Sequence, residues 1–213
     1  MASYQAVAPW YRLLEKSVFG GQLDEARRQG QALLTPARAP LHRLLVPGVG
    51  NGAGLQDLAR GWKEVVVFDP SPGMLTRARK RLGDALSYLR LEELSTIEEP
   101  FDALLTCFVL DHFQPEEQQE AIGTWGERLR PGGWWVDVDF QPARRVAPGW
   151  SRWKARGLLA LMLRFFQLTC GISAKRLHSP EDFFAQSGFT LETIWQSRDR
   201  FLRAHAWRLA PDA

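Results

Sequence analysis

The chain has 213 residues, 45% hydrophobic and 24% charged, an ordinary balance for a soluble globular protein of one sizeable domain. Its two cysteines, Cys107 and Cys170, belong to no C-x-x-C pair, which excludes a disulfide framework and a cysteine-rich zinc site. The net charge of +3 hides an uneven distribution: eight basic residues and no acid lie between Gln141 and His178, against 19 basic and 24 acidic residues elsewhere.

Residues 10–34 read as one or two amphipathic helices. Trp10, Leu14 and Val18 recur every four residues, and Gly20–Gly21 interrupts the pattern before Leu23, Ala26 and Leu33 resume it. Charged residues from Arg12 to Glu25 leave no apolar core for a signal peptide, and no run of eighteen uncharged apolar residues occurs. A cytoplasmic protein is expected. Residues 35–40, with two prolines, read as a linker.

From residue 41 short apolar runs alternate with helical patterns. The runs at 44–46, 65–68, 88–91, 103–108 and 134–138 read as buried strands. Between them, 55–60, 72–82 and 115–130 read as helices. Ser71–Pro72 suits a cap and first turn, and Glu116 and Glu117 at one end, with Arg128 and Arg130 at the other, complement a helix dipole. Uninterrupted apolar strands alternating with helices predict a doubly wound α/β domain, a mostly parallel sheet covered on both faces. Residues 150–172 read as an apolar, cationic helical stretch, 179–188 as a short helix, and 190–196 with 201–209 as an antiparallel pair at the sheet edge.

Pro47–Gly48–Val49–Gly50–Asn51–Gly52–Ala53–Gly54 follows the first strand, and the pattern places a helix after it. Glycines there permit a tight turn and close approach of backbone to a nucleotide-like ligand. Asp69 ends the second strand, where a carboxylate can accept hydrogen bonds from both ribose hydroxyls. The loop alone also satisfies a dinucleotide fingerprint, Gly48-x-Gly50-x-x-Ala53, with Asp69 21 residues after Gly48. Against a nicotinamide oxidoreductase stand the absence of a Tyr-x-x-x-Lys pair and the Leu129–Arg130–Pro131–Gly132–Gly133 turn before the fifth strand.

Together these residues resemble the class I, seven-stranded S-adenosylmethionine-dependent methyltransferases. The resemblance covers about residues 41–141 and rests on four motifs in order: the 45–52 loop, Phe68–Asp69–Pro70–Ser71–Pro72–Gly73–Met74–Leu75, Cys107–Phe108–Val109–Leu110–Asp111–His112–Phe113, and the Leu-Arg-Pro-Gly-Gly turn. The opening residues 4–11 are similar to the N-terminal segment of the small-molecule branch. The resemblance implies a Rossmann-like, seven-stranded sheet with an antiparallel C-terminal edge strand. It divides one domain over 1–213 into an N-terminal helical cap (1–40), a cofactor-binding core (41–141), a lid or insertion (142–178) and a C-terminal helix and strand pair (179–213).

By the same resemblance S-adenosyl-L-methionine is the cofactor. Gly48, Gly50 and Gly52 would hold its methionine part and Asp69 its ribose. Met74 would lie against the adenine, with Glu92, or Glu93, accepting the adenine amino group. Cys107 is read as a small strand-end residue in the cofactor site rather than a nucleophile. The acidic residue that the family usually carries two before the first glycine is Val46 here, so the methionine ammonium must be held by other groups.

Asp111 and His112 are read as ending the fourth strand, at the edge where such sheets bind ligands, and either could orient or deprotonate an acceptor. His112 could equally pack or cap the following helix. The four histidines are scattered, so no metal site is expected. Tyr4 and Tyr11 from the cap, and Trp150, Arg152, Trp153 and Arg156 from the cationic window, are the candidate substrate contacts. The window reads first as a lid over a small, partly apolar or anionic organic acceptor. Its second reading is peripheral membrane contact through residues 144–176, and its third a phosphate-binding surface, although no nucleic-acid module is expected. The alternative functions are an adenosylmethionine-binding protein without transferase activity and an NAD-dependent oxidoreductase.

Overall fold

A computed structural model describes residues 21–34, 42–58, 60–97, 99–142, 157 and 177–211. The expected helix before Gly20, the 35–40 linker and nearly all of the 142–178 insertion lie outside them. Helix α1 (Gln22–Leu33) begins after the Gly20–Gly21 break, with Asp24 and Glu25 in its first turn. Strand β1 (Arg43–Pro47) leads into the glycine loop, and β2 (Glu64–Phe68) follows. Ser71 caps α2 (Pro72–Leu82), its Oγ accepting the Met74 amide at 3.4 Å, and Gly83 at φ 79° ends the helix.

Strand β3 is only Ser87–Leu89, and Leu91–Thr96 winds into a 3-10 turn. Strand β4 (Phe101–Cys107) is followed by a 3-10 turn at Leu110–His112 and by α3 (Pro115–Gly126). Strand β5 (Leu129–Phe140), α4 (Glu181–Gln186), β6 (Phe189–Gln196) and β7 (Leu202–Leu209) complete the described order.

The seven strands form one sheet in the order β3-β2-β1-β4-β5-β7-β6. The first five are parallel, and β7 runs antiparallel to both β5 and β6. Alternate residues feed opposite cores. Leu44, Val46, Val136 and Val138 pack beneath α1 on one face; Leu45, Leu104 and Trp135 pack against α3 and α4 on the other. Trp135 is fully buried and meets Phe184 edge-on at 4.9 Å and Phe189 at 5.7 Å. Each such ring pair adds about 0.5–1.5 kcal/mol beyond its burial.

Three expectations need correction. Residues 55–60 form no helix. Leu58 and Arg60 close three-residue turns onto Leu55 and Asp57, and Gly54 and Gly61 bound the segment at φ 73° and 88°, where a right-handed helix does not continue. Helix α3 stops at Gly126, so no basic residue lies in its last turn; Arg128 reaches the Ile97 carbonyl and Arg130 pairs with Asp102 at 2.8 Å. The Leu-Arg-Pro-Gly-Gly stretch is the irregular start of β5 itself, where the register against β4 shifts and Gly132 takes φ 72°. The Asp102 carboxylate on β4 also accepts the His42 and Arg43 amides, at 2.9 and 2.7 Å, tying β1 to this irregular stretch.

Candidate active site

The glycine loop turns over the carboxyl end of β1, where parallel sheets bind ligands. Gly48, Gly50 and Gly52 have φ values of 64°, 56° and 70°, a region that side chains resist. A Cβ on Gly50 would meet nothing within 4 Å, so this backbone faces open space; on Gly48 it would strike Val109, and on Gly52 Leu82. Of these three glycines, one is free to meet a ligand and two pack against side chains.

Asp69 closes the loop from the neighbouring strand. One carboxylate oxygen accepts the Gly50 amide and the other the Ser71 amide, both at 2.8 Å. Burial raises its pKa, while those two amides oppose the rise. With two acceptor positions per oxygen, the carboxylate can hold both amides and a ligand diol at once. Met74 is buried one turn into α2. Glu92 lies in the 3-10 turn just beyond β3, and Glu93 is engaged there, accepting the Arg90 amide at 2.7 Å. Cys107 ends β4, and burial pushes its thiol up to about 12.

Phe108, next in the chain, adopts φ 58°, a strained conformation for an aromatic residue. Its ring packs on Phe140 at 5.1 Å and under the Arg27 guanidinium at 5.0 Å. Asp111 and His112 do not end β4, which stops at Cys107, but lie in the 3-10 turn after it, with His112 Nε2 3.6 Å from Asp111 Oδ1. The Asp111 side chain is 3% exposed and that of His112 24%, so the imidazole is the more accessible of the two.

Beneath this turn lies a cluster that the sequence reading missed. Asp139 Oδ2 accepts the Asp111 amide at 3.0 Å, and Asp139 Oδ1 accepts the Phe140 amide at 2.7 Å. Asp137 accepts the Thr106 hydroxyl at 3.0 Å and the Arg203 guanidinium at 2.6 Å. Burial raises the pKa of Asp111 and, further, that of Asp139, and the neighbouring carboxylates add to the rise at both. Arg203 is raised above its ordinary value because the charges of Asp137 and Asp139 outweigh its burial. Two acids at alternate positions of an apolar strand, matched by Arg203 and His205 at alternate positions of β7, were the available signal.

The glycine loop, Asp69, Met74, Cys107, Asp111 and His112 thus come together along the carboxyl edge of β1, β2 and β4. Tyr4, Tyr11, Trp150, Arg152, Trp153 and Arg156 lie outside the described residues. Among the described residues, no helix is long and apolar enough to cross a membrane. The antiparallel β7 between β5 and β6 also departs from the 3-2-1-4-5-6 order of dinucleotide-binding sheets.

Comparison with known proteins agrees with this arrangement. Residues 45–133 match the family model described as a methyltransferase domain. An uncharacterized methyltransferase of Anoxybacillus flavithermus is 31% identical over 105 residues, covering 47% of this chain and 48% of that protein. Another, GK2543 of Geobacillus kaustophilus, is 27% identical over 70% of this chain and 72% of its own length. The matches span about half the length of the first curated relatives.

Among solved structures, the N-methyltransferase NodS of Bradyrhizobium japonicum WM9 in complex with S-adenosyl-L-homocysteine superposes with a TM-score of 0.61. It is 19% identical, covering 88% of this chain and 87% of that one. Magnesium protoporphyrin IX methyltransferase of Synechocystis PCC 6803 superposes at 0.65 and 17% identity, covering 92% and 87%. Residues 45–133 thus match a methyltransferase domain, and the seven-stranded sheet that continues them has the fold of these solved methyltransferases.

Proposed function

We propose that the protein transfers a methyl group from S-adenosyl-L-methionine to a small organic acceptor, partly apolar or anionic, as a single cytoplasmic domain spanning residues 1–213. The observation that carries this reading is the Asp69 carboxylate bonded to Gly50, the one of Gly48, Gly50 and Gly52 whose added Cβ would meet nothing within 4 Å. When bound, the cofactor supplies a methyl carbon activated by a sulfonium, whose departure as a neutral thioether is intrinsically easy.

The chain's residues then bind, orient and move a proton. Gly50 faces the methionine part, Gly48 and Gly52 give the loop the turn that brings it there, and Cys107 stands at the end of β4. Asp69 takes the ribose hydroxyls, Met74 packs on the adenine and Glu92 accepts its amino group. Orientation of the acceptor for in-line attack supplies much of the acceleration, since well-oriented systems reach effective molarities of about 10⁵ M and above. Where the acceptor must lose a proton, His112 is the base, because it is the accessible member of its pair with Asp111. The acceptor is covered by Tyr4 and Tyr11 from the cap and by Trp150, Arg152, Trp153 and Arg156 from the insertion. The basic and aromatic residues of 144–176 also suit contact with an anionic membrane surface.

Calorimetric titration with S-adenosylhomocysteine tests the cofactor assignment, with micromolar binding expected in the wild type and its loss in Asp69→Ala. Replacing Arg152, Arg156 and Arg164 together should weaken acceptor use and leave cofactor affinity intact; equal loss of both would refute the lid. One observation favours a second reading, a binding protein without transferase activity: Val46, in place of the family's usual acid, is an apolar residue buried in the core. Turnover of adenosylmethionine with any acceptor separates the two.

A further inference from the structure

One face of α1 carries Asp24, Arg27 and Gln31, and all three meet the far end of the glycine loop. Gln31 Nε2 donates to the Gly54 carbonyl at 2.9 Å. A Cβ on Gly54 would lie 2.8 Å from Arg27 Cδ and 3.2 Å from Asp24 Oδ1. Arg27 and Asp24 are themselves paired at 3.0 Å, with the Arg27 side chain 8% exposed. The guanidinium also stands over the Phe108 ring, and its charge acts on the Cys107 thiol. A pair of opposite charges, with Arg27 buried and Asp24 partly exposed, therefore bridges the loop after β1 and the end of β4.

That is the interval in which the methionine part of the cofactor is expected, and its amino-acid end is a zwitterion. It needs one cationic and one anionic partner, and Val46 cannot be the anionic one. A guanidinium has five N–H donors and a carboxylate about four acceptor positions, so each can keep its helix partner and still bind a ligand group. We propose that Asp24 and Arg27 form the site for the amino-acid end of adenosylmethionine, Arg27 binding its carboxylate and Asp24 its ammonium. The inference rests on the cofactor assignment above and adds to it the group that replaces the missing acid. It also gives α1 a function: the helix completes the cofactor site from outside the matched domain.

The test compares two ligands by calorimetry. S-adenosylhomocysteine carries the amino-acid end, whereas 5′-methylthioadenosine has the same nucleoside and thioether without it. Arg27→Met and Asp24→Asn should each weaken S-adenosylhomocysteine about tenfold or more, the loss of a hydrogen bond between charged groups, and leave 5′-methylthioadenosine unchanged. Decarboxylated S-adenosylhomocysteine should bind wild type and Arg27→Met equally. Should Arg27→Met fail to fold, Arg27→Lys and Asp24→Asn carry the same comparison. Unchanged S-adenosylhomocysteine affinity in the variants overturns the proposal. So does an equal loss for both ligands, which would make α1 a support for the loop alone. Wild-type protein that binds neither compound would instead refute the cofactor assignment, and this inference with it.

Discussion

Asp139 Oδ2 accepts the backbone N–H of Asp111 at 3.0 Å, so a carboxylate inside β5 fixes the turn that carries the candidate base. The contact brings a second buried carboxyl beside Asp111, with Asp137 close by and Arg203 bonded to Asp137. Like charges at this spacing cannot all be ionised cheaply, and Asp139 is the member raised furthest.

A pH dependence of stability follows. An aspartate in the unfolded chain titrates near about 3.9, and the folded values of Asp111 and Asp139 lie above their ordinary value. The folded state therefore holds protons that the unfolded state has released, and stability falls as pH rises from about 4 through the folded values. Asp139→Asn removes that titration. Its stability relative to wild type should rise as the pH is raised above about 4 in urea unfolding. A constant offset would remain, because an amide cannot accept both backbone N–H groups, at a cost of about 1–3 kcal/mol. A difference that does not change with pH would mean that Asp139 is ionised throughout.

Arg203 is the counter-charge of this cluster, bonded to Asp137 with both side chains almost fully buried. Removing one partner of such a pair leaves an uncompensated buried charge, at about 3–5 kcal/mol. Arg203→Met should lower the urea midpoint accordingly. Adding Asp137→Asn should recover a large part of the loss, and a double variant no better than the single one would show that shape, not charge, is what Arg203 supplies.

Strands β1, β2 and β4 and the inner run of β5 were legible because burial on both faces writes them as unbroken apolar runs, and the cap of α2 was legible as Ser71–Pro72. What escaped depends on partners distant in sequence. Asp139 falls just past the strand read at 134–138 until β7 sets Arg203 opposite it in the sheet, and β5 then extends to Phe140. Asp24 and Arg27 read as ordinary helix surface charges until the loop 30 residues on packs against them. Leu55 and Leu58 carry a helical spacing and are indeed buried, but glycines on either side leave them in turns.

The Cys107 thiol, pushed up to about 12 by burial, is protonated at neutral pH and is a poor nucleophile. In a Cys170→Ser background it should react far more slowly with a thiol-directed reagent at pH 8 in the folded protein than in urea. Equal rates would place Cys107 among the reactive cysteines and reopen a nucleophilic role for it.

Gly50 and Gly52 share a left-handed backbone but not their surroundings, and alanine at each should separate ligand binding from folding. At Gly52 the added methyl would sit 2.9 Å from Leu82, inside the contact between loop and α2. Steric strain adds there to the backbone cost of about 1–2 kcal/mol for a left-handed alanine. At Gly50 nothing lies within 4 Å, so only the backbone cost applies to folding, while the methyl enters the space where backbone would meet ligand. Gly52→Ala should therefore lose more stability in urea unfolding, and Gly50→Ala more affinity for S-adenosylhomocysteine relative to its loss of stability. The reverse ranking would place the ligand against Gly52 and leave Gly50 as a turn residue alone.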